Sequence, residues 1–137
     1  MRRILTGFLF LSAMAGSALA HDTVGWHGPL PECDSPAVIA SIPEKFAYYD
    51  AHVIGSGLVI TGVDGIHEHA VRMGPGLVDR RYCGATAWLS NGRKSRVDYI
   101  IEGPKLGIFS IGWHVESCLP GYDPYRVYDA GCRAIRP

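Results

Sequence analysis

The sequence predicts an α+β fold: one N-terminal helix packed on a four- to five-stranded antiparallel meander sheet, held by two disulfides. Three observations carry that prediction. Apolar residues recur in steps of three and four at Ile39, Ile42, Phe46, Tyr49 and Val53, which is one face of a helix. Downstream, short runs rich in aromatic and β-branched residues are separated by Asp64-Gly65, Asn91-Gly92 and other glycine-containing turns, the pattern of strands joined by hairpins. Four cysteines follow a leader-like start, and an even number in an exported chain implies a disulfide framework.

Residues 1–20 read as a signal peptide. Arg2 and Arg3 give a basic start, an apolar run follows, and Ala18-Leu19-Ala20 is an A-x-A cleavage site. The apolar run is shorter than the roughly 20 residues a spanning helix needs. The expected mature domain is therefore residues 21–137, periplasmic or secreted, with no membrane attachment. The chain has 13 Lys+Arg and 13 Asp+Glu; without Arg2 and Arg3 the balance is 11 against 13, a net charge of −2. That charge offers no general attraction to nucleic acid or an anionic membrane. Basic residues are mostly arginine, Asn91 is the sole asparagine and glutamine is absent, the bias of a GC-rich bacterial genome.

After an irregular glycine- and proline-rich arm to Cys33, Ser35-Pro36 opens the helix, with Ser35 as the cap and Pro36 at the first helical position. The helix is expected over 36–52, with Pro43 kinking it or restarting it. Gly55-Ser56-Gly57 ends it. Strands are expected over 58–63 and 66–73, joined as a hairpin by Asp64-Gly65. Gly74-Pro75-Gly76 breaks the chain before the central hairpin, 82–89 and 94–102, whose Asn91-Gly92 calls for a type I′ turn. The last strand is expected over 107–117. There Phe109, Ile111, Trp113 and Val115 face one way, and the more polar Ile108, Ser110, Gly112, His114 and Glu116 the other. A helix followed by an antiparallel meander resembles the cystatin-like and NTF2-like element order. The resemblance is one of order alone and implies no chemistry.

Cys33, Cys83, Cys118 and Cys132 allow three pairings, of which Cys33–Cys83 with Cys118–Cys132 is preferred. The second would close a loop of about 15 residues and contribute about 3 kcal/mol in the chain-entropy account. No C-x-x-C occurs, so a zinc cluster of cysteines is not indicated.

Three sets of residues can carry function. The segment 119–131 places Tyr122, Asp123, Tyr125, Arg126 and Tyr128 in a loop tied by a disulfide. Tyrosine and arginine dominate binding hot spots, and a closed loop loses little entropy on binding. The expectation is a non-catalytic binding protein that uses this loop. The second set is His67-Glu68-His69. Residues two apart on a strand share a side, so both imidazoles would project together, a donor pair suited to copper or zinc; His21, at the mature N-terminus, would add a third ligand. The third set is His114 with Glu116 and Asp98, a carboxylate–histidine group capable of acid–base work. It would need a cup-shaped pocket lined by Trp88, Tyr99 and Trp113. The sequence has no G-x-S-x-G elbow, P-loop or G-x-G-x-x-G.

Overall fold

The computed structural model describes residues 30–73, 78–103 and 112–137. The leader, His21, Gly74-Pro75-Gly76 and the first part of the expected last strand lie outside those residues. One helix, α1 (Pro36–Tyr49), packs on a sheet of four strands, β1 (Ile60–Arg72), β2 (Arg80–Leu89), β3 (Lys94–Glu102) and β4 (His114–Cys118). The strand order is β1-β2-β3-β4 and every neighbouring pair is antiparallel, so the sheet is an open meander. Both disulfides form as preferred, Cys33–Cys83 and Cys118–Cys132. Such bonds accord with an oxidising environment. Among the described residues no helix is long and apolar enough to cross a membrane.

Pro36 opens α1, but the Ser35 side chain makes no capping bond. Pro43 neither ends nor divides the helix; it lies within it on the partly buried side. Val38, Ile42 and Phe46, spaced by four, form the buried stripe, while Val53 is exposed. Each of these three buried side chains stabilises the fold by about 1.5–3 kcal/mol relative to exposure. The helix runs on as one π-helical turn, Asp50–Ile54, and stops at left-handed Gly55. Asp50 fixes this exit. Its carboxylate accepts from the Ser56 hydroxyl, the Ser56 amide at 3.1 Å and the Gly57 amide at 2.8 Å.

The expected hairpin over 58–73 does not form. Asp64-Gly65 lies inside β1, a single 13-residue strand. Asp64 pairs with Thr86 and His67 with Gly84, so Gly65 and Ile66 face one residue of β2. This is a β-bulge with Gly65 at φ 60°. Two more bulges fall between Ile60 and Gly62 and between Glu68 and Ala70. Irregularities of this kind on an outer strand discourage edge-to-edge association. The central hairpin forms as expected, with a different turn. Gly92 donates to the Leu89 carbonyl and Leu89 to the Arg93 carbonyl, both at 2.9 Å, and of the two turn residues Gly92 alone has a positive φ, 80°. That is a type I turn closed by a left-handed glycine.

The sheet is covered on both faces. Against α1 lie Cys83, Ala85, Ala87 and Leu89 of β2, Val97, Tyr99 and Ile101 of β3, and Val115 of β4. The arm entering α1 is pinned to this face by the Cys33–Cys83 bond and by Arg81, whose two terminal nitrogens grip Glu32 at 2.7 and 3.0 Å. Tyr99 is fully buried and donates its hydroxyl to the Cys33 carbonyl at 2.8 Å. On the other face, Tyr82, Ile100 and Cys118 pack with Cys132 and Ile135 from the short 3-10 segment Ala130–Ile135.

Candidate functional site

Where α1 overhangs the end of β4, a groove of about 580 Å³ opens between the helix and the loop after Cys118. One wall comes from the last two turns of α1: Ser41, Lys45, Phe46, Tyr48 and Tyr49. The other comes from the end of β4 and the loop: Glu116, Leu119, Tyr122, Val127 and Tyr128. The volume is typical of a small-molecule site.

The loop wall is built by local chemistry. The Cys118–Cys132 bond ties its two ends. Asp123 organises the middle: its two carboxylate oxygens accept the Val127 and Tyr128 amides, each at 2.9 Å, and its carbonyl accepts the Arg126 amide at 3.1 Å. Arg126 and Asp129 take left-handed backbone at φ 52° and 62° to complete the winding. Tyr122 is held edge-on against Phe46, ring centroids 5.8 Å apart. The Tyr128 hydroxyl donates to Glu116. Burial first, and then this carboxylate, pushes the Tyr128 phenol well above its usual range.

Five aromatic rings, Phe46, Tyr48, Tyr49, Tyr122 and Tyr128, therefore face one space. The Tyr49 hydroxyl is buried there with no hydrogen-bond partner. Burial, and then the nearby Asp123 carboxylate, raises the Tyr49 phenol pKa, so it stays neutral and protonated. An unpaired buried hydroxyl costs free energy that a ligand can restore. Three carboxylates, Glu44, Glu116 and Asp123, line the groove against one ammonium, Lys45, so the field inside favours neutral or positive guests. Tyr48 and Val127 are exposed large apolar side chains at its mouth.

Of the loop residues singled out in the sequence, Tyr122, Asp123 and Tyr128 line the groove. Asp123 is engaged by the loop's own backbone. Tyr125, 76 % exposed, and Arg126, also exposed, are outside the lining. The helix wall was not legible as a site, because Phe46 and Tyr49 fit the apolar periodicity of α1 and read as core. The one available signal was the adjacent Tyr48-Tyr49 pair at the end of the helix.

His114 and Glu116 share a face of β4 as expected, with Asp98 on the neighbouring β3. His114 pairs with Glu102 at 2.8 Å and lies 4.0 Å from Glu116. Glu102 is buried and also holds Arg80 at 2.6 Å. Asp98 is displaced along the sheet: in register it faces Cys118, while Glu102 faces His114. Asp98 is fully buried and bonds Arg96 at 2.9 Å. Among the described residues, the three aromatics expected to line a cup are not on one surface. Tyr99 is inside the core, and Trp113 packs at the edge of that core. Trp88 is on the opposite face, donating to Asp64 at 2.6 Å beneath the Lys94 ammonium. His67 and His69 do project together, with ring centroids 4.6 Å apart. Among the described residues no group of three or more His, Cys, Asp or Glu is arranged to hold a metal ion.

No protein-family model matches the sequence, and no curated protein or solved structure shows significant similarity to it.

Proposed function

We propose that this is a small exported protein, periplasmic or secreted, that binds a small amphipathic molecule without transforming it, in the groove between α1 and the disulfide-closed loop. One observation carries the reading: the Tyr49 hydroxyl, buried and unpaired, inside an aromatic space of about 580 Å³. A folded protein keeps few buried polar groups unsatisfied. Tyr49 belongs to the groove lining, so a guest that shifts the rings around this hydroxyl would give it a partner while the guest's apolar body covers Phe46, Tyr122 and Tyr128. The surplus of carboxylates makes the favoured guest an organic amine or a neutral compound rather than an anion; aromatic faces add cation–π attraction for an ammonium. The leader-like start and the two disulfides support export.

The test is a titration with Nile red, a neutral dye that brightens in apolar surroundings, followed by displacement. Phenethylamine and 2-phenylethanol should displace the dye, and phenylacetate should not. Ser41→Phe, which fills the groove from the helix side, should abolish dye binding without unfolding the chain. Dye binding that survives Ser41→Phe, or displacement by phenylacetate equal to that by the amine, would refute the assignment.

A further inference from the structure

On the sheet face away from α1, the bulges of β1 do something the groove does not require. His67 faces Gly84 of β2 in register, and His69 is the extra residue of the last bulge. Both rings turn over Gly84. A methyl group on Gly84 would lie 2.6 Å from Nε2 of His69 and 2.8 Å from Nε2 of His67. Only glycine leaves that room, and both Nε2 atoms converge on it. His67 is also fixed from behind: its Nδ1 is 2.9 Å from the Gly65 carbonyl, the bulge residue of the same strand. A carbonyl can only accept, so Nδ1 carries the proton and Nε2 of the neutral ring carries a free lone pair. Orientation of a ring through Nδ1–H to a backbone carbonyl is the usual support of a metal-bound histidine. The rings stand nearly perpendicular, at 83°.

We infer that His67 and His69 form a two-imidazole chelate for a divalent transition-metal ion, with copper(II) bound more tightly than zinc(II). A metal held by both Nε2 atoms at about 2.0 Å would set the ring centroids about 4.4 Å apart at a right angle and about 5.1 Å apart at the tetrahedral angle. The separation is 4.6 Å, closer to the adjacent positions of a tetragonal site, which copper(II) prefers. Both histidines are exposed, so water completes the coordination. Asp98, paired in register with Gly84, is fully buried with its Oδ1 unpartnered, and its charge is balanced by Arg96, which donates to Oδ2 at 2.9 Å. Arg133 and Arg136 border His69 on its outer side. Arg133 is ion-paired with Asp129 at 2.7 Å, and Arg136 lies 3.9 Å from Asp98. The two imidazoles and Gly84 are not among the residues that line the groove.

The test is a zinc(II) titration of residues 21–137, followed by NMR at the imidazole Cε1–H resonances of His67 and His69, with copper(II) then added in competition. Both resonances should move together and saturate at one ion per chain, and copper(II) should displace zinc(II). His67→Gln or His69→Gln should weaken binding at the remaining ring about ten-fold or more, because a chelate becomes a single ligand. Gly84→Ala should do the same without removing any donor. Rings that do not respond, that titrate independently, or that respond unchanged in the partner's absence would overturn the inference. So would a folded Gly84→Ala chain that binds zinc(II) at full strength. If Gly84→Ala does not fold, the two exposed histidine variants decide the matter alone.

Discussion

Removing each disulfide in turn should separate stability from binding. Cys33–Cys83 spans 50 positions of sequence and Cys118–Cys132 spans 14. In the chain-entropy account these loops correspond to about 4 and about 3 kcal/mol of stabilisation at 25 °C. All four cysteines are buried, so replacing either pair with alanine leaves similar small voids, and the difference between the pairs survives. With roughly 4 °C of melting temperature per kcal/mol for a domain of this size, the expected losses are about 16 °C for Cys33→Ala/Cys83→Ala and about 12 °C for Cys118→Ala/Cys132→Ala. Binding should follow the reverse order. Cys33–Cys83 ties the entry arm to β2 and touches no part of the groove, so Nile red affinity should stay within about two-fold. Cys118–Cys132 closes the loop that contributes Leu119, Tyr122, Val127 and Tyr128 to the groove, so its loss returns to binding the cost of ordering that wall, and affinity should fall about ten-fold or more. Urea denaturation followed by circular dichroism gives the stabilities, and dye titration well below the transition gives the affinities. Equal loss of binding in both variants, or greater destabilisation from opening the shorter loop, would refute the division of roles.

Other substitutions probe the same account. Tyr49→Phe removes the unpaired hydroxyl and should raise the stability of the ligand-free protein by about 1 kcal/mol in urea, while weakening phenethylamine binding in calorimetry. Ile42→Ala empties a fully buried position under α1 and should cost about 2–5 kcal/mol in the same urea assay. The Ser56 hydroxyl, helped by the Gly57 and Ser56 amides, holds the Asp50 carboxyl below its ordinary value of 3.8. Its contribution is therefore complete above about pH 4 and lost as the pH falls through the lower folded value. Denaturation midpoints measured from about pH 6 down to about pH 3 should drop less steeply in Asp50→Asn than in the parent chain.

How far the sequence revealed the molecule depends on whether a signal was local. The helix, the central hairpin and the two disulfides could be read from periodicity, turn residues and cysteine spacing. Asp64-Gly65 could not be interpreted alone. A glycine that permits positive φ serves a hairpin or a bulge equally well, and the choice rests on β2, whose residues from Arg80 to Leu89 accept β1 as one continuous partner. Asn91-Gly92 shows the same limit on a smaller scale: the hairpin is right, but only Gly92 takes up the left-handed conformation. The loop half of the groove was visible because tyrosines and arginine between two cysteines are unusual for a mere connection. The helix half was hidden, since nothing in a 3.6-residue period tells where a helix overhangs its sheet and leaves Phe46 and Tyr49 facing space. The partner of His114 depended on strand register. Glu102 and Asp98 lie four residues apart on β3, and only the pairing of β3 with β4 selects the first.

The most direct test of the groove as a binding site is a chemical-shift map of isotope-labelled residues 21–137 titrated with phenethylamine. The largest movements should fall on Phe46, Tyr49, Tyr122 and Tyr128 together, from both walls, with Trp88 and Asp64 at the other end of the sheet unmoved. Shifts confined to that end or to the exposed Tyr125, or no saturable response, would contradict the account.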